Sequence, residues 1–345
     1  MGLRDEIHQQ PDIIRSLLSR QAARIVEISA ELLKFEIDYV FLTARGTSDN
    51  AGLYAKYLLG THNQLPIALA APSIFSVYKK PPKLTHAFVL GISQSGMSPD
   101  IVSVLENGKS SGVPTMAITN APDSPLAKAA EYVIDVCAGE EQAIAATKSY
   151  TAQLVTIAML SAALAKDQDR LQELQLLPEC IEKTLELEPV IKKAVERYYY
   201  MQHCVVLGRG YNYATAFEWA LKMKELTYII AEPYSSADFL HGPIAIVDAG
   251  FPVMVVIPKG AVYGEILSVV KKLRQQHKAL LLLISNDDEA LQWADIPLRI
   301  PEEVPEWLSP IVSIVPAQLF CYHLAHLRGI DPEVPRGLTK ITETQ

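Results

Sequence analysis

The stretch Ala87-Phe88-Val89-Leu90-Gly91-Ile92-Ser93-Gln94-Ser95-Gly96-Met97-Ser98-Pro99 decides the fold. An apolar run, Ala87–Ile92, stops at small polar residues, and a proline opens a new segment. A short apolar run between turn signals reads as a strand buried on both faces. Pro99 suits the first position of a helix, and Ser98 suits the cap before it. Ile101, Val104 and Leu105 then recur at helical spacing. Strand, polar turn and helix form the unit from which covered parallel sheets are built.

The unit repeats on either side. Tyr39–Leu42 reads as a strand, Gly46–Asn50 as a turn and Ala51–Leu59 as a helix. Thr115–Ile118 and Tyr132–Val136 read as two more strands, with a long helix from about Thr147. Upstream, residues 11–34 form an amphipathic helix opened by Pro11 and Asp12. Its apolar side carries Ile14, Leu17, Leu18, Ile25, Ile28 and Leu32.

The second half echoes the first. Arg45-Gly46 recurs 164 positions later as Arg209-Gly210. Gly96 recurs at the same offset as Gly260, after the strand Pro252–Ile257. Asn120 recurs 166 positions on as Asn286, and Ala152-Gln153-Leu154 recurs 165 on as Ala317-Gln318-Leu319. Four pairs, in one order and at a nearly constant offset, predict a duplicated domain. The expected fold is α/β: two tandem doubly wound parallel sheets, an N-terminal helix and a non-helical C-terminal tail. The expected boundaries are 1–34 for the N-terminal helical segment, 35–167 for the first domain, 168–200 for a connecting helix, 201–330 for the second domain and 331–345 for the tail.

Composition agrees with two domains. A chain of 345 residues exceeds one ordinary domain. With 49% hydrophobic and 20% charged residues, each half can bury a core. The net charge of -8 disfavours a general binder of nucleic acid or anionic membrane. Cys137, Cys180, Cys204 and Cys321 lie too far apart for a zinc ribbon or CxxC site, so free thiols and no metal are expected. The start, MGLRDEIHQQ, has no apolar signal region. The longest apolar stretch is read at Leu154–Ala165, a core helix too short to span a bilayer. A cytoplasmic protein is expected.

Ligand sites in doubly wound sheets lie at the carboxyl ends of strands. Two polar turns fall there. Ser93, Gln94, Ser95 and Ser98 surround a helix start, which offers N–H groups and a partial positive charge to an anion. Thr47 and Ser48, after the first strand, supply the other wall. An ordinary polar turn with an N-cap is the competing reading. Gly108-Lys109-Ser110 is no P-loop, because Ser103 stands where the first glycine belongs. Gly208-Arg209-Gly210 is no dinucleotide fingerprint, because Tyr213 stands at the third glycine. No cofactor is expected.

Chemistry is sought in the second half. Glu218, Lys222 and Glu225 interrupt an apolar helix on one face. Glu218 and Lys222 make a favourable ion pair. Glu225 is left over, either as a structural residue or as a functional carboxylate. His241 precedes Gly242-Pro243 in a turn and can trade protons near neutral pH. Lys340 lies in the tail, where a solvated surface charge is the plain alternative.

Together these motifs resemble the sugar isomerase (SIS) domain family. The likeness is strongest to the isomerase half of glutamine:fructose-6-phosphate amidotransferase and to stand-alone glucosamine-6-phosphate deaminases. It runs from Glu6-Ile7 to Lys340, on Arg45-Gly46-Thr47-Ser48, Ser93-Gln94-Ser95-Gly96, Ala146-Thr147-Lys148, residues 218–225, His241-Gly242-Pro243 and residues 335–340. The resemblance implies that Thr47, Ser48, Ser93, Gln94, Ser95 and Ser98 bind a sugar phosphate. It implies Glu225 as the base between C1 and C2, with Glu218 and Lys222 in support. It implies that His241 opens the sugar ring from the neighbouring subunit of a homodimer, and that Lys340 meets the open-chain sugar in a tail that closes the site. Ala146, Met97, Gly337 and Thr339 depart from the synthase pattern. A glutaminase half is absent from this sequence, so the expected reaction is glutamine-independent: glucosamine 6-phosphate and water give fructose 6-phosphate and ammonia. The alternatives are a deglycase, an isomerase of another amino-sugar phosphate, or a non-catalytic sugar-phosphate sensor.

Overall fold

The computed structural model describes residues 2–340; Met1 and residues 341–345, the end of the tail from Ile341, lie outside the described residues. Among the described residues, ten strands form two five-stranded sheets. The first holds β1 (Tyr39–Thr43), β2 (Ile67–Leu69), β3 (Ala87–Ser93), β4 (Thr115–Thr119) and β5 (Tyr132–Asp135), in the order β2-β1-β3-β4-β5. The second holds β6 (His203–Gly208), β7 (Ile230–Ser235), β8 (Pro252–Val256), β9 (Leu280–Ser285) and β10 (Ile296–Arg299). Its order, β7-β6-β8-β9-β10, is that of the first sheet. Every pairing is parallel. Both the duplication and the α/β class hold.

Central strands are buried along their length, because helices cover both faces. β4 and β8 show no exposed residue. One face of the first sheet packs Val89 and Ala117 against Ile101, Val104 and Leu105 of the helix Pro99–Ser110. In the second sheet, Val253, Val255, Leu281 and Leu283 meet Ile266, Val269 and Val270 of the helix Tyr263–Lys272.

The chain divides into two compact units. Of the described residues, the first-sheet unit comprises Asp12–Glu141, Lys148–Gln175, Thr339 and Lys340, and the second-sheet unit comprises residues 2–11, Gln142–Thr147 and Leu176–Leu338.

Several local expectations change. The helix after β1 starts at Thr47 and runs to His62, so the polar turn of the sequence reading is its first turn. β2 carried no signal: it has three residues, on an edge, and two are exposed. The stretch 168–200 is not one helix but five short helical pieces: Gln168–Glu173, Leu174–Leu176, Leu177–Leu185, Glu188–Ala194 and Val195–Tyr198. Pro178 and Pro189 each sit in the first turn of a piece, where a missing N–H does no harm but a continuous helix would lose a bond. The longest apolar helix is Ser309–Leu327, not 154–165. With the turn before it, Glu306–Leu327 is long and apolar enough to cross a membrane, yet 89% of its apolar window is buried inside the fold. It packs Trp219 and Tyr198 edge-on against Phe320, so it reads as a core helix.

Candidate active site

In an order of this kind, the sheet changes direction between β1 and β3, and ligands bind outside the strand ends there. Thr43 pairs with Gly91 across those strands, so the two polar turns of the sequence reading leave the sheet side by side. Ser48 is buried, and its Oγ accepts from the Gln153 amide at 3.1 Å. That contact orients the hydroxyl and leaves its proton to donate. Thr47, Ser93, Gln94, Ser95 and Ser98 are half-buried. Ser93 Oγ accepts from Gly96 N–H at 3.1 Å, and Ser95 Oγ from Met97 N–H at 3.4 Å. The Gln94 carbonyl accepts from Asn120 N–H at 3.1 Å, and the Gly96 carbonyl from Leu126 N–H at 3.1 Å. The loop is therefore held both through two of its carbonyls and through the Gly96 and Met97 N–H groups, which its own serine hydroxyls engage.

Gly96 is obligatory. Its φ is +62°, and a Cβ there would stand 2.1 Å from Ser124 Oγ. Ser98 occupies the N-cap position but makes no capping bond, contrary to the sequence reading. Its hydroxyl is thus not committed to the helix.

A basic residue missed as a site component lies at the rim. Arg45 holds Asp100 through Nε at 3.0 Å and Nη2 at 2.7 Å. Asp100 is wholly buried at the start of the helix after β3. The pair ties one turn to the other. Burial pushes the nearby Asp49 carboxyl above its ordinary value, and Arg45 pulls the other way. The signal for the Arg45–Asp100 pair lay only in the type of each residue, since 55 positions separate them.

Lys340 is not a loose surface charge. Its Nζ lies 3.0 Å from Oε2 of Glu141, whose side chain is fully buried. The same carboxylate accepts from Ser149 N–H at 3.1 Å and Ser149 Oγ at 2.8 Å. Glu141 escaped the sequence reading because nothing local marks it. The first-sheet unit thus contains all six candidate phosphate-binding residues and Lys340.

The second-sheet unit contains the other candidates. Glu218, Lys222 and Glu225 do share one face, on Tyr213–Lys222 and the π-turn Met223–Thr227 that extends it. Lys222 is buried, 2.6 Å from Glu225 Oε2 and 3.3 Å from Glu218 Oε1. So Glu225 is not left over; it is the nearer partner. Burial alone would push the Lys222 ammonium down, but the two carboxylates outweigh it and the net displacement is upward. Glu218 is fully buried, whereas Glu225 keeps 22% of its side chain exposed and is the carboxylate a ligand can reach. Wide turns of this sort recur at functional sites.

The π-turn ends at Tyr228, whose backbone is left-handed. The Tyr228 hydroxyl accepts from Arg336 N–H at 2.7 Å, and the Arg336 guanidinium stacks 4.5 Å from its ring. The tail is therefore anchored three residues beyond Glu225. His241 ends the short helix Ser236–Leu240, before Gly242 with φ +131°. It is exposed, with only its backbone N–H tied, to the Asp238 carbonyl at 3.0 Å.

Comparison with known proteins gives the family. Residues 36–163 and 198–328 both match the SIS domain. The glutamine–fructose-6-phosphate aminotransferase (isomerizing) of Thermus thermophilus is 36% identical over 348 residues, across 97% of this chain. The chain spans 57% of that relative's length. The C-terminal domain of glucosamine-fructose-6-phosphate aminotransferase from Francisella tularensis superposes with a TM-score of 0.88 at 29% identity, covering 95% of this chain and 96% of that one. Glucosamine-6-phosphate deaminase from Thermotoga maritima shares the fold, with a TM-score of 0.78 at 23% identity over 99% of each chain. Two domain matches, laid on two sheets of one strand order, agree with the polar turns and the Glu–Lys–Glu stripe: the chain belongs to the SIS domain family.

Proposed function

We propose that this chain is a glucosamine-6-phosphate deaminase, which converts glucosamine 6-phosphate and water to fructose 6-phosphate and ammonia. The observation that carries the reading is Glu225: a part-exposed carboxylate held 2.6 Å from a buried lysine, beside a second carboxylate that is closed off. An aldose–ketose shift needs such a base. Lys222 orients Glu225, and Glu218 is the lysine's second carboxylate partner.

The phosphate sits on Thr47, Ser48, Ser93, Gln94, Ser95 and Ser98. Hydroxyls and helix-end N–H groups suit a dianion without a lysine. Glu225 takes the proton from C2 of the open-chain aldehyde and returns it to C1. The C2 amine becomes an iminium. Water adds at C2, and the C–N bond breaks with ammonia leaving. Lys340, steadied by Glu141, donates to the sugar's oxygens during the shift. His241, exposed on its turn, serves ring opening in the site of a second copy, so the working form is a homodimer. The substrate is small and metabolic, which fits a cytoplasmic protein. These residues act on the sugar alone, so the amino group leaves as free ammonia.

One observation favours a second reading: the relative at 36% identity is named for the opposite, aminating direction. The test runs both. Purified protein is incubated with glucosamine 6-phosphate without glutamine, and ammonia and fructose 6-phosphate are assayed. Equal release of both is expected. Product only from fructose 6-phosphate with added ammonium would reverse the direction. No turnover either way, with substrate still raising the melting temperature, would move the function to a deglycase, another amino-sugar phosphate or a sensor.

A further inference from the structure

We infer that the crevice of the second sheet is a duplicated anion cradle filled by the chain's own carboxylate, Glu306, and that removing this carboxylate opens a second phosphate site. The second sheet changes direction between β6 and β8 as the first does between β1 and β3. The loop after β8 carries Gly260, the repeat of Gly96. There Glu306 Oε2 accepts from Ala261 N–H at 2.7 Å. A Cβ on Gly260 would stand 2.1 Å from the Glu306 carboxyl carbon. A carboxylate thus packs directly on Gly260-Ala261, the counterparts of Gly96-Met97 in the cradle. A Cβ would meet Ser124 at Gly96 and the carboxylate end of Glu306 at Gly260.

The rest of the crevice has changed to match. At the positions of Ser93, Ser95 and Ser98 stand Ile257, Lys259 and Val262. The Lys259 N–H goes to Asn286 Oδ1 at 2.7 Å, and its ammonium is shared by Glu302 at 3.0 Å and Asp287 at 3.5 Å. Arg209, the counterpart of Arg45, is paired with Glu265. Each cation here already has an internal acid. Glu306 itself is the repeat of Glu141, 165 positions on. In the first copy that carboxylate turns to Ser149 and Lys340; in the second it turns into the crevice. A phosphate approaching the second loop would meet like charge where the first loop offers hydroxyls.

The inference concerns the second sheet and does not rest on the deaminase reading. The probe is inorganic phosphate, titrated into the full chain by calorimetry and by amide NMR. Glu306→Ala is expected to bind one phosphate more per chain than the unaltered protein, with the Ala261 amide resonance moving during the titration. In the unaltered protein the Ala261 amide should stay still. An equal count in the two proteins would overturn the inference. So would an Ala261 amide that moves in the unaltered protein, a reading that needs no variant and decides the matter if Glu306→Ala does not fold. The count in the unaltered protein, and its Gly96 amide, report separately on the first cradle.

Discussion

The two sheets have one strand order and two different rims. At the first, the loops after β1 and β3 carry five hydroxyls, on Thr47, Ser48, Ser93, Ser95 and Ser98, and none of these five residues is exposed. At the second, the corresponding loops bring Arg209, paired with Glu265, and Lys259, paired with Asp287 and Glu302, while Glu306 accepts from the Ala261 N–H. The difference shows what duplication conserves. The apolar pattern that builds a sheet is retained, because one lost register exposes a whole strand. The loop residues carry no such burden and diverge. One copy keeps a hydroxyl-rich rim, proposed to hold the phosphate, and the other supplies the buried ion network from the helix beside its first strand.

That division can be broken experimentally. The largest effect is expected for Lys222→Met, which strands the fully buried Glu218 without its cation. A loss of about 3–5 kcal/mol is expected from urea unfolding. The same network predicts a pH dependence. The Lys222 pKa is raised in the fold, so its contribution is complete below the ordinary value of 10.5 and drains as pH climbs past it. Unfolding measured across that range should show the alkaline loss in the unaltered protein and lack its Lys222 share in the variant. Identical profiles would remove the network from the stability of the second unit.

Glu225→Gln should lower turnover by about two orders of magnitude or more and leave phosphate affinity alone. Steady-state kinetics with near-normal kcat would take Glu225 out of the mechanism. Gly96→Ala should cost about 2 kcal/mol or more and abolish phosphate binding, since both the positive φ and Ser124 oppose a Cβ. If Gly96→Ala binds phosphate normally, the cradle lies elsewhere.

Ser95→Ala and Lys259→Ala make the finest comparison, because the two positions are repeats of each other. Loss of one hydroxyl to a dianion should weaken substrate about tenfold, read as KM. Loss of the lysine should change neither KM nor kcat, since its charge is spent on Glu302 and Asp287. Equal effects at both positions would mean that the rims are not specialised as described.

Much of this could be read before any coordinates. The strand Ala87–Ser93 and its polar turn announced themselves because a buried parallel strand needs unbroken apolar residues and a ligand loop needs small ones. Edge strand β2 could not be read, as three residues with two exposed carry no periodicity. The stripe Glu218, Lys222, Glu225 was legible as a face, but its pairing was not. Helical spacing favoured Glu218 for Lys222; the structure puts Glu225 nearer, on a π-turn.

The sequence by itself determined the α/β class, the duplication and the residue types of the candidate site, because these are written in local periodicity, in turn chemistry and in a nearly constant offset. Only the tertiary structure decided the partners. Arg45 with Asp100, Glu141 with Lys340, and Glu306 with Ala261 join residues 55, 199 and 45 positions apart. No local pattern encodes such contacts. Burial makes a carboxylate take the nearest donor, and which donor is nearest is settled only when the strands and helices have packed.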